Sequence, residues 1–267
     1  MRKSLGVCLL LVSLFTAAAA AFPQRIVSGI PAATEMLFAL GLGDRVVGVT
    51  TNCDYPPAAR RKTKVGGFTL NLEKVVSLKP DLIVLQTDAQ PREIERFRAF
   101  KLPLLTIEPK SIDGVMAALQ RLGRETGATA EAAALVRALQ KRIDAVEPKQ
   151  FGLLFVLQRP RALVVVGYEP LLVAGGGTFI DDILKHAGVE NIAAGARGAY
   201  PHYSLERLLK ERPDYIIVPD RTVRRGELEK RGDWQVLYID PNIISRPGPR
   251  VAEAVERIAK FSHEKKI

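Results

Sequence analysis

Residues 199–203 read AYPHY, which puts Tyr200, His202 and Tyr203 in one polar turn just ahead of a helical run. Imidazole binds transition metals readily, so His202 is the side chain here that could serve as an axial ligand to a metal centre. No metal site of the protein's own is expected beyond it. Residues 175–178 read GGGT and open another helical run. Backbone amides at such a start can hold a phosphate, but the full nucleotide or dinucleotide motif is missing, so a tight structural turn is the better reading. Asp181 and Asp182 are adjacent acids, yet neighbours on a helix point in different directions and make no catalytic pair. Cys53 is the single cysteine after Cys8, which lies in the apolar N-terminal run, so no intramolecular disulfide is expected. It reads first as a small buried side chain and second as a reactive or ligating thiol. The sequence holds no nucleophile elbow, no paired-histidine metal motif and no complete phosphate loop. A secreted α/β enzyme is therefore the weaker reading, and no catalytic residue is assigned.

A repeat carries more information. Residues 71–85, NLEKVVSLKPDLIVL, return at 204–218 as SLERLLKERPDYIIV, so Glu206 lies 133 positions after Glu73. In the first copy Asn71 can cap a helix whose apolar residues are Leu72, Val75, Val76 and Leu78. Pro80 cannot continue that helix, and Asp81–Leu85 has the continuous apolar run of a buried strand. The second copy predicts a helix at Leu205–Glu211 and a strand at Tyr215–Val218. Around the first copy, strands are expected at Arg25–Ser28, Arg45–Thr50 and Leu104–Ile107, with helices at Ala32–Leu40 and Arg92–Phe100. Glu35 reads as a first-turn acid favoured by the helix dipole. Around the second copy, strands are expected at 151–157, 162–166 and 235–239, with helices at Phe179–His186 and Arg250–Phe261. Strand and helix patterns alternate in both halves, which argues for α/β architecture with parallel sheets flanked by helices.

Between the halves, Ile112–Thr126 and Thr129–Glu147 are helical with no strand between them. In the second run Ala132, Leu135, Val136, Leu139, Ile143 and Val146 recur at helix spacing, with Thr129 as cap and Pro148 beyond the end. Such a helix would be about 28 Å long at 1.5 Å per residue, a stiff strut between two lobes. The expected organisation is an N-terminal α/β lobe over residues 22–110, a helical connector over 111–148 and a C-terminal α/β lobe over 149–267.

The first 21 residues stand apart. Arg2 and Lys3 precede an apolar run from Leu5 to Phe15, followed by Ala17–Ala21. That order is a secretory signal peptide, and its apolar run is shorter than the roughly 20 residues of a spanning helix. An exported, soluble, periplasmic chain is expected. The whole chain has 39 Lys and Arg against 29 Asp and Glu, a net charge of +10. A basic balance suits an anionic ligand or surface. The clusters Arg60–Lys64 and Arg221–Arg225 are not interleaved with aromatics; they read as solvated faces, and no nucleic acid partner is expected.

The segments RIVSGIPAATEMLFALGLGDRVVGVTTNCDYPP, KVGGFTLNLEKVVSLKPDLIVL, GGGTFIDDILKHAGVENIA, SLERLLKERPDYIIV and RPGPR occur in that order. In this combination the chain resembles the periplasmic substrate-binding proteins of ABC importers for cobalamin, haem and ferric siderophores, most closely the cobalamin branch. The resemblance implies two Rossmann-like lobes joined by one long helix, with one ligand held between them and no reaction catalysed. It implies a monomer that delivers a corrinoid to a permease dimer in the inner membrane; haem or a ferric siderophore is the alternative ligand. By position it implies ligand contacts at Asn52, Tyr55, Phe68, Gln86, Leu172, Tyr200, His202 and Arg246. Phe68 and Tyr200 stand where the branch often carries Trp, and Asn52 where it carries an aromatic; the only Trp here, Trp234, is elsewhere. Phe68 also admits a plain reading as a core aromatic beside the Gly66–Gly67 turn. The resemblance further implies that Glu73 and Glu206, one per lobe, pair with arginines on the two halves of the permease. Helix capping is the simpler reading of the same two acids.

Overall fold

The structure is a computed structural model that describes residues 22–146, 159–220 and 222–263. The expected signal peptide and the expected strand at 151–157 lie outside the described residues. Short apolar runs form the first sheet: β1 (Ile26–Ser28), β2 (Val46–Val49), β4 (Leu82–Gln86) and β5 (Leu104–Ile107), with β3 (Thr63–Lys64) at one edge. All five strands are parallel, in the order β3-β2-β1-β4-β5. The helices α1 (Pro31–Ala39), α2 (Leu72–Ser77) and α3 (Pro91–Ala99) return the chain between strands. Pro31 sits inside the first turn of α1, so Glu35 falls beyond that turn and is not the dipole acid expected from sequence.

The connector is a pair of helices, α4 (Ile112–Thr126) and α5 (Thr129–Asp144), which pack along each other. The strut expected of the second helix alone is therefore shared by both. Gly123 permits the close approach, since a Cβ there would lie 2.5 Å from the Ala132 Cβ. Thr129 is the first residue of α5 and not its cap; its hydroxyl donates back to the Gly123 carbonyl. The pair is tied to both lobes. Arg45 of the first lobe donates to the Thr126 carbonyl at 2.9 Å.

In the second lobe, β6 (Arg161–Gly167), β9 (Tyr215–Pro219) and β10 (Gln235–Ile239) are parallel neighbours, and the two-residue strands β7 (Leu172–Val173) and β8 (Glu190–Asn191) flank β6. β7 runs antiparallel to β6, a departure from the purely parallel expectation. The helices are α6 (Phe179–His186), α7 (Leu205–Glu211), α8 (Pro241–Ile244) and α9 (Val251–His263). Asp182 of α6 accepts from the Ile112 amide at 2.8 Å and so caps α4. Arg142 of α5 makes a two-pronged pair with Glu256 of α9, at 2.8 and 2.6 Å. One continuous apolar cluster passes from Met36 and Leu37 through Leu119 and Leu139 to Ile183 and Val255.

The repeat survives as architecture. Asn71 and Ser204 cap α2 and α7 through their side chains, at 2.9 and 3.0 Å. Each copy alternates exposed and buried positions identically from 71 to 79 and from 204 to 212. Lys79 and Arg212, at equivalent places, both take a positive φ of 45°. Asp81 and Asp214 each accept from the backbone amide of an arginine, Arg25 and Arg161, at 2.8 and 2.7 Å. Those two guanidiniums then bind the carbonyls of Leu78 and Glu211, closing the helix ends, both at 2.7 Å.

Substituting Gly123→Leu should force α4 and α5 apart and cost about 1–3 kcal/mol, the usual range for overpacking. Urea denaturation measures it; no loss would mean the helix pair is not tightly apposed.

Candidate functional site

Open α/β sheets leave a crevice outside the carboxyl ends of their strands, where the strand order reverses. In the first lobe that point lies beside β1, with β2 on one side and β4 on the other. The loops after β2 and β3 carry Asn52–Tyr55 and Phe68, and β4 ends on Gln86. In the second lobe, Leu172 pairs with Gly167 at the end of β6, and Leu172 and His202 form an isolated bridge. The loop after α8 carries Arg246 and Arg250.

Those two arginines bring the carboxyl edges of the sheets face to face. Arg250 binds the Glu35 carboxylate through Nε and Nη2, at 2.9 and 2.6 Å. Arg246 Nη1 reaches Asp54 at 2.6 Å and Glu35 at 3.3 Å, while Nη2 donates to the Asn52 carbonyl at 3.2 Å. The Arg250 guanidinium also lies 4.2 Å from the centre of the Tyr55 ring. Glu35 is only 3% exposed, so its charge is tolerated because both guanidiniums meet it. Burial pushes the Asp54 carboxyl up, but Arg246 outweighs it and holds the group below its ordinary range. Burial works against the Arg250 charge, yet Glu35 raises that group above its ordinary value.

Between the lobes lies a cleft of about 780 Å³. Asp54 and Arg60 line it from the first lobe; Asp220, Arg225, Asp240 and Asn242 line it from the second. The two basic clusters are solvated as expected, and each contributes one exposed arginine to the cleft wall. Arg225 is held by Asp220 at 2.8 Å and lies over the Tyr238 ring, while Arg60 donates to the Asp54 carbonyl at 3.1 Å. A second cavity of about 420 Å³ opens between Phe38 and Tyr55 of the first lobe, Leu135 and Leu139 of α5, and Pro249.

The residues expected at the ligand divide into groups. Asn52, Tyr55 and Arg246 meet at the arginine clasp. The Tyr55 ring lines the second cavity, and the fork of Arg246 is engaged by the first lobe, so a ligand group would share or displace Asp54 to reach it. Phe68 is 83% exposed, which excludes the core reading. Gly66, at a φ of +129°, makes the turn before it, and a Cβ there would fall 2.4 Å from the Thr69 carbonyl oxygen. Gln86 is partly buried, with its amide donating to Asp88 at 2.9 Å. Tyr200 is 53% exposed and His202 is exposed. Tyr203 is withdrawn into the core under Arg207, and burial pushes its hydroxyl up to about 12. Among the described residues, no three His, Cys, Asp or Glu side chains converge as a metal site.

Three other readings are resolved. Cys53 is buried, with its sulfur 3.0 Å from the Thr34 hydroxyl. The GGGT amides serve the protein itself: Gly177 donates to Asp181, which also binds Asn191 and Lys185 and is 1% exposed. That internal carboxylate stands where a phosphate would. Trp234 is a core residue, its indole donating to the Leu228 carbonyl. Sequence reasoning missed Glu35, Arg250 and the cleft arginines. An acid inside the apolar run ATEMLFAL was the available signal, along with the second arginine of RPGPR.

A sequence model described as a periplasmic binding protein family matches residues 26–256. The chain is 31% identical to the uncharacterized ABC transporter substrate-binding lipoprotein YvrC of Bacillus subtilis, over 89% of this chain and 79% of that protein. It is 29% identical to a vitamin B12-binding protein of Pectobacterium atrosepticum, over 97% and 96%. Among solved structures, the periplasmic vitamin B12 binding protein BtuF of Vibrio cholerae superposes with a TM-score of 0.76 at 26% identity, over 91% of this chain and 99% of that one. The periplasmic heme-binding protein BhuT, in complex with two hemes, gives 0.78 at 26%, over 88% and 96%.

Replacing Arg250→Ala should cost about 3–5 kcal/mol, because Glu35 stays buried with one long contact; urea denaturation gives the value. Asp54 has a lowered pKa, so its contribution is complete above its ordinary value of 3.8 and is lost as pH falls through the folded value. The stability gap between the parent and Asp54→Asn should hold steady from pH 7 to about 4 and close below it.

Proposed function

The chain belongs to the periplasmic binding protein family, and from that premise we propose that it is the substrate-binding component of an ABC importer, holding a corrinoid between its lobes. The observations that support this reading are a cleft lined from both lobes and a pair of exposed aromatics, Phe68 on the first lobe and Tyr200 on the second. Water-facing aromatic rings gain on the order of 1.5–3 kcal/mol each when fully covered, and a large planar ligand covers them well. The vitamin B12-binding relatives, matching nearly the whole chain, support the corrinoid.

In this reading Phe68 and Tyr200 lie against the faces of the macrocycle. Asn52, Gln86, Leu172 and the charged lining of the cleft meet its edge. Acids, amides and guanidiniums are all present there, so both hydrogen-bond donors and acceptors of a polar rim find partners. The clasp and the helix pair hold the lobes at nearly fixed separation, so binding moves them little. Both α2 and α7 begin at the carboxyl edge of their lobe, and Glu73 and Glu206 are exposed in their first turns. Neither has an ion-pair partner among the described residues, and the caps come from Asn71 and Ser204. A permease dimer would receive one glutamate in each half. A haem or ferric-siderophore ligand is the second reading, favoured by exposed His202 and by the likeness to the heme-binding protein BhuT.

Calorimetric titration with cyanocobalamin, haemin and a ferric siderophore distinguishes these ligands. Cyanocobalamin should bind at micromolar concentration or tighter, and Phe68→Ala or Tyr200→Ala should each weaken it about tenfold, the equivalent of about 1.4 kcal/mol. Binding of haemin alone would replace the corrinoid reading by the second one. Glu73→Ala with Glu206→Ala should leave that titration unchanged and abolish ligand uptake by cells; unchanged uptake would reduce both acids to helix-terminal charges.

A further inference from the structure

The duplicated helices expose more than a charge. Val76 and Leu209 are 46% and 44% exposed, among the few large apolar side chains facing water in the described residues. Leu209 follows Val76 by 133 positions, the same offset that relates Glu206 to Glu73. Val75 and Leu208, the preceding residues, are fully buried and hold each helix to its lobe. A single exposed aliphatic is ordinary. Two at equivalent places, each three residues after an exposed glutamate, form the same small face twice, because positions i and i+3 lie side by side on a helix. The other matched exposed residues do not extend this face equally, since Arg207 is engaged by Glu211 and by the Tyr203 ring.

We infer that each lobe docks through a two-part contact, Glu73 with Val76 and Glu206 with Leu209, against a membrane permease whose two halves each offer a cation beside an apolar recess. The inference rests on the docking reading above and adds the apolar half of the contact. Charge complementarity alone gives a contact that salt screens. An aliphatic side chain beside the charge excludes water from the pair and adds a term that salt does not weaken. The partner must present two like surfaces, because the protein presents two. Beside Glu206 lies a recess of about 480 Å³, lined also by Ser204, Arg207, Lys210 and Glu211.

Photo-crosslinking in the native host tests this. The full chain carries p-benzoylphenylalanine at position 73, 76, 206 or 209, or at Phe100, another exposed apolar site, as control. Adducts are identified by peptide mass spectrometry. The expected result is an ABC permease subunit captured from both 76 and 209 and not from 100. Val76→Ser with Leu209→Ser should also weaken binding to that permease in nanodiscs at least tenfold, with unchanged circular dichroism. Capture from 73 and 206 but not from both 76 and 209 would overturn the inference and leave glutamate docking standing. No permease captured from any of the four would overturn the docking reading and the inference together.

Discussion

Glu35 is a carboxylate on a helix that otherwise supplies core residues, and it is sealed from water by two arginines of the other lobe. Taking such a charge out of water costs several kcal/mol, and only well-placed hydrogen-bonded partners offset it. Arg250 provides the two-pronged contact and Arg246 the second approach, while Arg246 also ties down Asp54 and the Asn52 carbonyl. One buried acid therefore sets the separation of the two carboxyl edges. The width of the charged cleft, the placing of Tyr55 and the reach of Arg246 all follow from it.

The connector works with that clasp. α4 and α5 lie side by side; α4 is capped by Asp182 of the second lobe and held at its far end by Arg45 of the first. A paired, capped helical bridge bends less than a glycine-rich hinge. If Phe68 and Tyr200 contact the ligand as proposed, a rigid frame would leave little binding energy to be lost to ordering them. The proposed docking on two halves of one partner would likewise require α2 and α7 to be held at a fixed spacing.

Much of the frame was legible in the sequence. The helices Phe179–His186 and Leu205–Glu211 and the strands Leu104–Ile107 and 235–239 fall where periodicity put them, because their apolar runs are long and bounded by caps or prolines. The two-residue strands β3, β7 and β8 carry no such signal; they form only because a neighbouring strand offers its edge. The exposure of Phe68 and Tyr200 agrees with their loop positions in the sequence; their role as ligand contacts remains part of the proposal. The clasp was not, because Glu35 lies more than two hundred residues from its partners and a lone acid near a helix start has a simpler explanation. The basic clusters are solvated as read, since Arg60 and Arg225 are exposed; that these two also line the cleft could not be told from composition. The repeat was legible as duplication, but its aspartate–arginine closure of each helix and its twin exposed aliphatics emerge only when burial is known.

A crystal structure of the protein grown with cyanocobalamin tests the central claim most directly. The account predicts density for one corrinoid between the lobes, with Phe68 and Tyr200 against it and the pairing of Glu35 with Arg250 intact. A corrinoid bound outside the cleft, or lobes that close only after that pair has broken, would contradict it.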